Sequence, residues 1–260
     1  MTRDRRLCEL ARRALAEALG TALLLIAVVG SGIAAQRLSP GDTGLELLEN
    51  AAATAAALVA IILALGPVSG AHLNPVVTLA ECAFGAMGKA RASIYVAAQL
   101  AGAAAGTVVA NLMFALPAIE LSTKPRVGPN LWLSEAVATL GLLLVIFGVV
   151  RSGRGAAAPF AVGAYIAGAY FFTSSTSFAN PAVTFARTLS DTFAGISPAS
   201  APAFILAQLA GCALAVLAVR ALYPDVAAVA GDAIVPHEPE AAAATPGGDS
   251  RGEPARRRRQ

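Results

Sequence analysis

Six stretches of this sequence are apolar over nearly the thickness of a bilayer: residues 14–35, 47–65, 93–116, 131–150, 159–173 and 203–222. About 20 apolar residues in a helix cross the hydrocarbon core. Inside lipid every backbone N–H and C=O must be satisfied within the protein, which leaves helices and closed barrels as the spanning structures. Runs this long and this uniformly apolar predict an all-α membrane protein of six spans. The fifth has a soft end, running into the polar stretch Thr173-Ser174-Ser175-Thr176-Ser177. Composition agrees: only 13% of residues are charged, against roughly 25% in a soluble domain. Alanine and glycine are abundant, as suits helices that must approach closely without a hydrophobic push between them.

Two shorter apolar stretches, residues 75–86 and the run starting at residue 181, are too short to cross. Each follows a loop and opens on an Asn-Pro pair, Asn74-Pro75 and Asn180-Pro181. Proline suits the first turn of a helix. These stretches read as re-entrant half-helices, tolerated at membrane depth where they are buried in protein or line a water-filled path. Basic residues cluster before the first span (Arg3, Arg5, Arg6, Arg12, Arg13), between spans two and three (Lys89, Arg91), between spans four and five (Arg151, Arg154) and at the end (Arg256 to Arg259). The positive-inside rule places these segments, and so both termini, in the cytoplasm. The basic runs sit at membrane boundaries, which argues against nucleic-acid binding. Residues 1–13 read as a basic N-terminus and 14–222 as the membrane domain. Residues 223–260 have little to bury and read as a disordered cytoplasmic tail.

Catalytic and metal motifs are not evident. Cys8, Cys82 and Cys212 show no metal-ligand spacing, and the histidines are His72 and His237, the latter in the tail. No cofactor site, metal site or enzyme is expected.

The two halves echo each other. Ala16-Glu17-Ala18-Leu19-Gly20 in span one answers Ser134-Glu135-Ala136-Val137-Ala138 in span four. Asn74-Pro75-Val76-Val77-Thr78-Leu79-Ala80-Glu81 answers Asn180-Pro181-Ala182-Val183-Thr184-Phe185-Ala186-Arg187. Ala98-Gln99-Leu100-Ala101-Gly102 in span three answers Ala207-Gln208-Leu209-Ala210-Gly211 in span six. The landmarks keep their order at a nearly constant offset. With three spans per half, the second repeat (about 131–222) is inverted relative to the first (about 14–116), and the half-helices enter from opposite sides.

On these motifs the chain resembles the major intrinsic protein family, the aquaporins and aquaglyceroporins, over about residues 10–222. The resemblance implies a right-handed six-helix bundle with two half-helices and a pore in each subunit. It also implies a homotetramer in contact with membrane lipid. As a bacterial member, such a protein would lie in the inner membrane and pass water and small uncharged solutes passively.

Each half-helix N-terminus carries roughly half a positive charge. Two of them opposed raise a barrier to cations, with Asn74 and Asn180 capping the helices and offering amide donors to solute. The irregular loops ahead of them are expected to present the carbonyls of Gly70, Ala71, His72 and Leu73, and of Thr176, Phe178 and Ala179, as acceptors. Glu17 and Glu135 are costly in lipid. They are expected to brace the loops through backbone amides, helped by Gln99 and Gln208. His72 is read as a packed residue near the cytoplasmic mouth.

The chain departs from the family pattern at Val76, where the motif is usually Asn-Pro-Ala, and at Val183, where an arginine usually follows the second motif. Counted without gaps, the other filter positions fall on Thr54, Gly168 and Ser177. Three small residues and a valine predict a widened filter without fixed charge. Arg187, seven residues after Asn180 and on about the same helix face, is a possible vestibule charge, and Asp191, four residues further, its possible partner. The stretch from Asn180 to Ile196 is similar to a bacterial subgroup associated with arsenic resistance, which implies glycerol-like polyols and neutral metalloid acids such as arsenite as solutes. The alternatives are an ordinary water-selective aquaporin and an ion-coupled inverted-repeat transporter.

Overall fold

The computed structural model describes residues 3–223, and the tail beyond them lies outside the described residues. Eight α-helices follow one another: α1 Arg3–Leu38, α2 Thr43–Ser69, α3 Pro75–Ala83, α4 Lys89–Met113, α5 Pro129–Arg151, α6 Ala158–Phe172, α7 Pro181–Ala186 and α8 Ala201–Leu222. With the 3₁₀ turn that precedes α6, six of these elements are long and apolar enough to cross a membrane. The short helices α3 and α7 are the two half-helices. Leucines such as Leu15, Leu19 and Leu23 on α1 and Leu206, Leu214 and Leu217 on α8 face outward.

Helix ends follow local chemistry. Asp42 caps α2, its carboxylate accepting from Leu45 N at 3.0 Å. The helix stops at Gly70, whose φ of 90° lets its N–H return to Gly66 O. Replacing Asp42 with alanine is expected to cost about 0.5–2 kcal/mol, read as a small fall in thermal midpoint in detergent, since one orphan N–H loses its partner. The half-helix expected over residues 75–86 stops earlier, at Ala83, because Phe84 caps it and Gly85 turns away at φ 84°. The first helix starts ahead of the apolar run: α1 runs unbroken from Arg3, and Arg13 is buried against Glu9. The Arg, Ala, Leu and Glu of this stretch are all good helix formers.

Packing repeats between the halves. Helix α1 lies against α4 and α2, α5 lies against α8 and α6, and α2 meets α6 at the seam. Glycines set the closest crossings. A Cβ at Gly102 would stand 2.9 Å from Ala18 Cα, and one at Gly211 would stand 3.0 Å from Ala136 Cα. The two contacts are mates under the repeat, joining α4 to α1 and α8 to α5. On the side opposite the termini, the connector between repeats folds over the end of α7. Glu120 N donates to Leu189 O, Ser122 N to Thr188 O, and Ser197 N to Lys124 O.

Candidate functional site

The half-helices meet at the centre of the bundle because their caps are tied across it. Asn74 sits in extended backbone and its Oδ1 accepts from Val76 N at 3.0 Å. Asn180 does the same for Ala182 N and Val183 N. Each asparagine then sends Nδ2 to the other repeat: Asn74 to Ala179 O and Asn180 to Leu73 O, both at 2.8 Å. One amide hydrogen of each asparagine is thus engaged by protein, and both asparagines line the central cavity. Pro75, Pro181, Val76 and Ala182 are buried in the first turns of α3 and α7.

The loops ahead of the caps have matching backbones. Gly70, Ala71 and Leu73 have positive φ, as do their mates Thr176, Ser177 and Ala179. Five of these six residues are not glycine. Each such residue costs of order 1 kcal/mol and is held only where its surroundings over-determine it. Here the surroundings are the buried glutamates. Glu17 Oε1 accepts from Ser69 Oγ and His72 N, and its Oε2 from Leu73 N and Gln99 Nε2, at 2.6–3.0 Å. Glu135 accepts from Phe178 N, Ala179 N and Gln208 Nε2 at 2.6–2.9 Å. Gln99 and Gln208 each also donate to the half-helix threonine, Thr78 and Thr184.

Between the repeats lies a cavity of about 60 Å³, room for more than one water. Apolar side chains of the long helices line it: Leu24 and Val28 of α1, Leu58 and Ile62 of α2, and their repeat mates Leu142, Ile146, Val162 and Ile166. Among them stand the polar residues His72, Asn74, Asn180, Ser177, Thr54, Tyr170 and Arg187. Of the loop residues expected to offer carbonyls, Ala71, His72, Leu73 and Phe178 line this cavity, whereas Gly70, Thr176 and Ala179 do not. The carbonyls of Leu73 and Ala179 already accept from the asparagines.

Two expectations about the filter change. Thr54, Ser177 and Val183 line the cavity at the mouth opposite the termini, but Gly168 does not. Gly168 lies exposed on the outer face of α6. The α6 contribution is Tyr170, whose hydroxyl donates to Thr54 Oγ1 at 3.3 Å. Counting without gaps misses it, although Val162, Ile166 and Tyr170 share one face at i, i+4 spacing. The second change concerns charge. Arg187 is 2% exposed and lines the cavity. Its Nε donates to Ala194 O, and its guanidinium lies 3.5 Å over the Phe178 ring. Arg126 comes within 5.1 Å of the same ring. Asp191 does not join Arg187. Its carboxylate accepts from the Thr123 backbone and from the hydroxyls of Thr123 and Ser122, and those hydrogen bonds, the backbone one foremost, hold it below the usual carboxylate range.

At the other mouth His72 is both packed and in the wall. Its Nδ1 is 3.0 Å from Thr78 Oγ1, its Nε2 is 2.5 Å from Glu81 Oε2, and its ring meets Tyr95 edge-on. Among the described residues no cluster of three or more His, Cys, Asp or Glu could hold a metal ion.

Comparisons with known proteins point the same way. Residues 5–179 match the family model of the major intrinsic proteins. The chain is 51% identical over 211 residues to the aquaglyceroporin AqpS of Rhizobium meliloti, covering 80% of this chain and 90% of that one. It is 30% identical over 236 residues to the aquaporin AqpM of Methanothermobacter marburgensis, covering 80% and 96%. The X-ray structure of the aquaglyceroporin from Plasmodium falciparum superposes with a TM-score of 0.61 over 84% of this chain and 98% of that one. At 22% identity, that likeness speaks for the fold alone.

Proposed function

Because this chain belongs to the major intrinsic protein family, we propose that it passes glycerol-like polyols and neutral metalloid acids as well as water. Membership makes it a multi-pass membrane channel for water and small solutes, and not an enzyme. The observation that supports the finer reading is the mixed lining of the cavity, in which amide, hydroxyl and guanidinium groups stand among apolar side chains. A polyol combines the same two characters, a carbon chain and hydroxyls. Arsenite at neutral pH is the uncharged As(OH)₃, with a similar hydroxyl pattern. A relative named as an aquaglyceroporin, matched over 90% of its length, adds to this reading.

We read residues 14–222 as the channel unit, assembled as a homotetramer in a bacterial inner membrane with both termini in the cytoplasm. The mouth bearing Thr54, Tyr170 and Arg187 is then the outer one. In proteoliposomes of the full chain, glycerol and arsenite entry should exceed that of protein-free vesicles by about tenfold or more, a barrier lower by about 1.4 kcal/mol. A second reading, a water-selective channel, draws on Tyr170 at the outer mouth and on the small cavity. Rapid water flux beside glycerol and arsenite entry no faster than bare lipid would select it.

A further inference from the structure

We propose that Arg187 supplies the fixed cation of the outer filter, from the position the internal repeat assigns to Glu81. The inference rests on the channel reading above and names the residue that sets its selectivity. Under the repeat, His72 corresponds to Phe178, Glu81 to Arg187 and Tyr95 to Phe204. Each mouth therefore holds one ring of the wall between a charged residue of the half-helix end and an aromatic of the following long helix. At the inner mouth Glu81 contacts His72, and Tyr95 packs edge-on against it. At the outer mouth Arg187 stacks on Phe178, and Phe204 packs edge-on at 5.3 Å.

The position of Val183 explains why the cation can come from here. Residues 183 and 187 are one turn apart and share a face. With a valine at 183, the lumen beside it stays open for a side chain arriving from one turn further on. Nε is fixed by Ala194 O and the guanidinium plane by Phe178. That orientation is rigid, and a planar guanidinium stacked on a ring is not equivalent to a lysine ammonium. A fixed positive charge beside Thr54, Tyr170 and Ser177 repels cations and donates hydrogen bonds to hydroxyl oxygens of an uncharged solute.

The test uses the full chain in proteoliposomes, with methylammonium as a cation of solute size. Arg187→Gln removes the charge but keeps a donor for Ala194 O. It should raise the ratio of methylammonium leak to water flux about tenfold. Arg187→Lys should keep cations out yet lower the ratio of glycerol to water flux severalfold. Val183→Arg should crowd two guanidiniums into one constriction and cut both water and glycerol flux about tenfold. The double variant Val183→Arg with Arg187→Gln should recover water flux. Unchanged ratios in Arg187→Gln would overturn the proposal and leave Arg187 as an anchor for the loop at Ala194. If Arg187→Gln does not reconstitute, Arg187→Lys decides instead: an unchanged ratio of glycerol to water flux in it, or unchanged flux in Val183→Arg, overturns the proposal equally. A wild-type chain with no flux above lipid overturns the channel reading itself, whereas a conducting wild type insensitive to these changes overturns only the role of Arg187.

Discussion

Replacing Glu17 with leucine is expected to abolish the folded channel. The carboxylate is fully buried and accepts from four donors: Ser69 Oγ, His72 N, Leu73 N and Gln99 Nε2. A leucine leaves all four without their acceptor. Each buried donor left unsatisfied costs about 1–3 kcal/mol. The two backbone amides alone then remove about 2–6 kcal/mol from a net stability of about 5–15 kcal/mol. The loop is also the part of the chain least able to absorb the loss, because Ala71 and Leu73 sit at positive φ and relax once released. Size-exclusion in detergent should show aggregation in place of a monodisperse peak. Glu135→Leu should be the milder change, since it strands three donors. A Glu17→Leu protein with wild-type elution and melting would remove the carboxylate from its place as organiser of the loop.

The next largest effect is expected at the crossing of α1 and α4. A Cβ at Gly102 would lie 2.8 Å from the Ala18 carbonyl carbon, and one at Gly106 would lie 2.8 Å from Ala22 Cα. Both obstacles are backbone, so no side chain can rotate out of the way. Gly102→Val must push the helices apart, and overpacking of this kind costs about 1–3 kcal/mol or more. The displacement carries Glu17, one residue from Ala18, away from the loop it braces, so flux should fall together with the thermal midpoint. Gly88→Ala is the control. It has open space around the added carbon and an ordinary φ of −73°, and it should shift stability by no more than about 0.5 kcal/mol. Equal losses in the two variants would show that close approach is not what Gly102 provides.

The architecture was legible because membrane physics is strict about length and because the repeat is spelled out at a nearly constant offset. Glu17 and Glu135 could be paired with loop amides from sequence because a carboxylate in lipid must find donors. The outer mouth was less legible. Span five carries no motif, so counting from elsewhere fell on Gly168, and the period along Val162, Ile166 and Tyr170 was the better guide. The burial of Arg187 depends on residues 187–197 folding back under the connector, a contact between segments far apart in the chain that leaves no local pattern. The positive-φ positions were equally silent, since alanine, leucine, threonine and serine occupy sites that glycine would have marked.

The reciprocal bonds from Asn74 to Ala179 and from Asn180 to Leu73 have a mechanical consequence. They form a clasp between two bodies that otherwise meet along helix seams. A bilayer that thins or thickens acts on the outer helices, whose tilt is set by the neighbours they pack against. The halves can lean apart at the middle only as far as two short bonds extend. The centre therefore works as a gauge of fixed span, set by bonds within the protein.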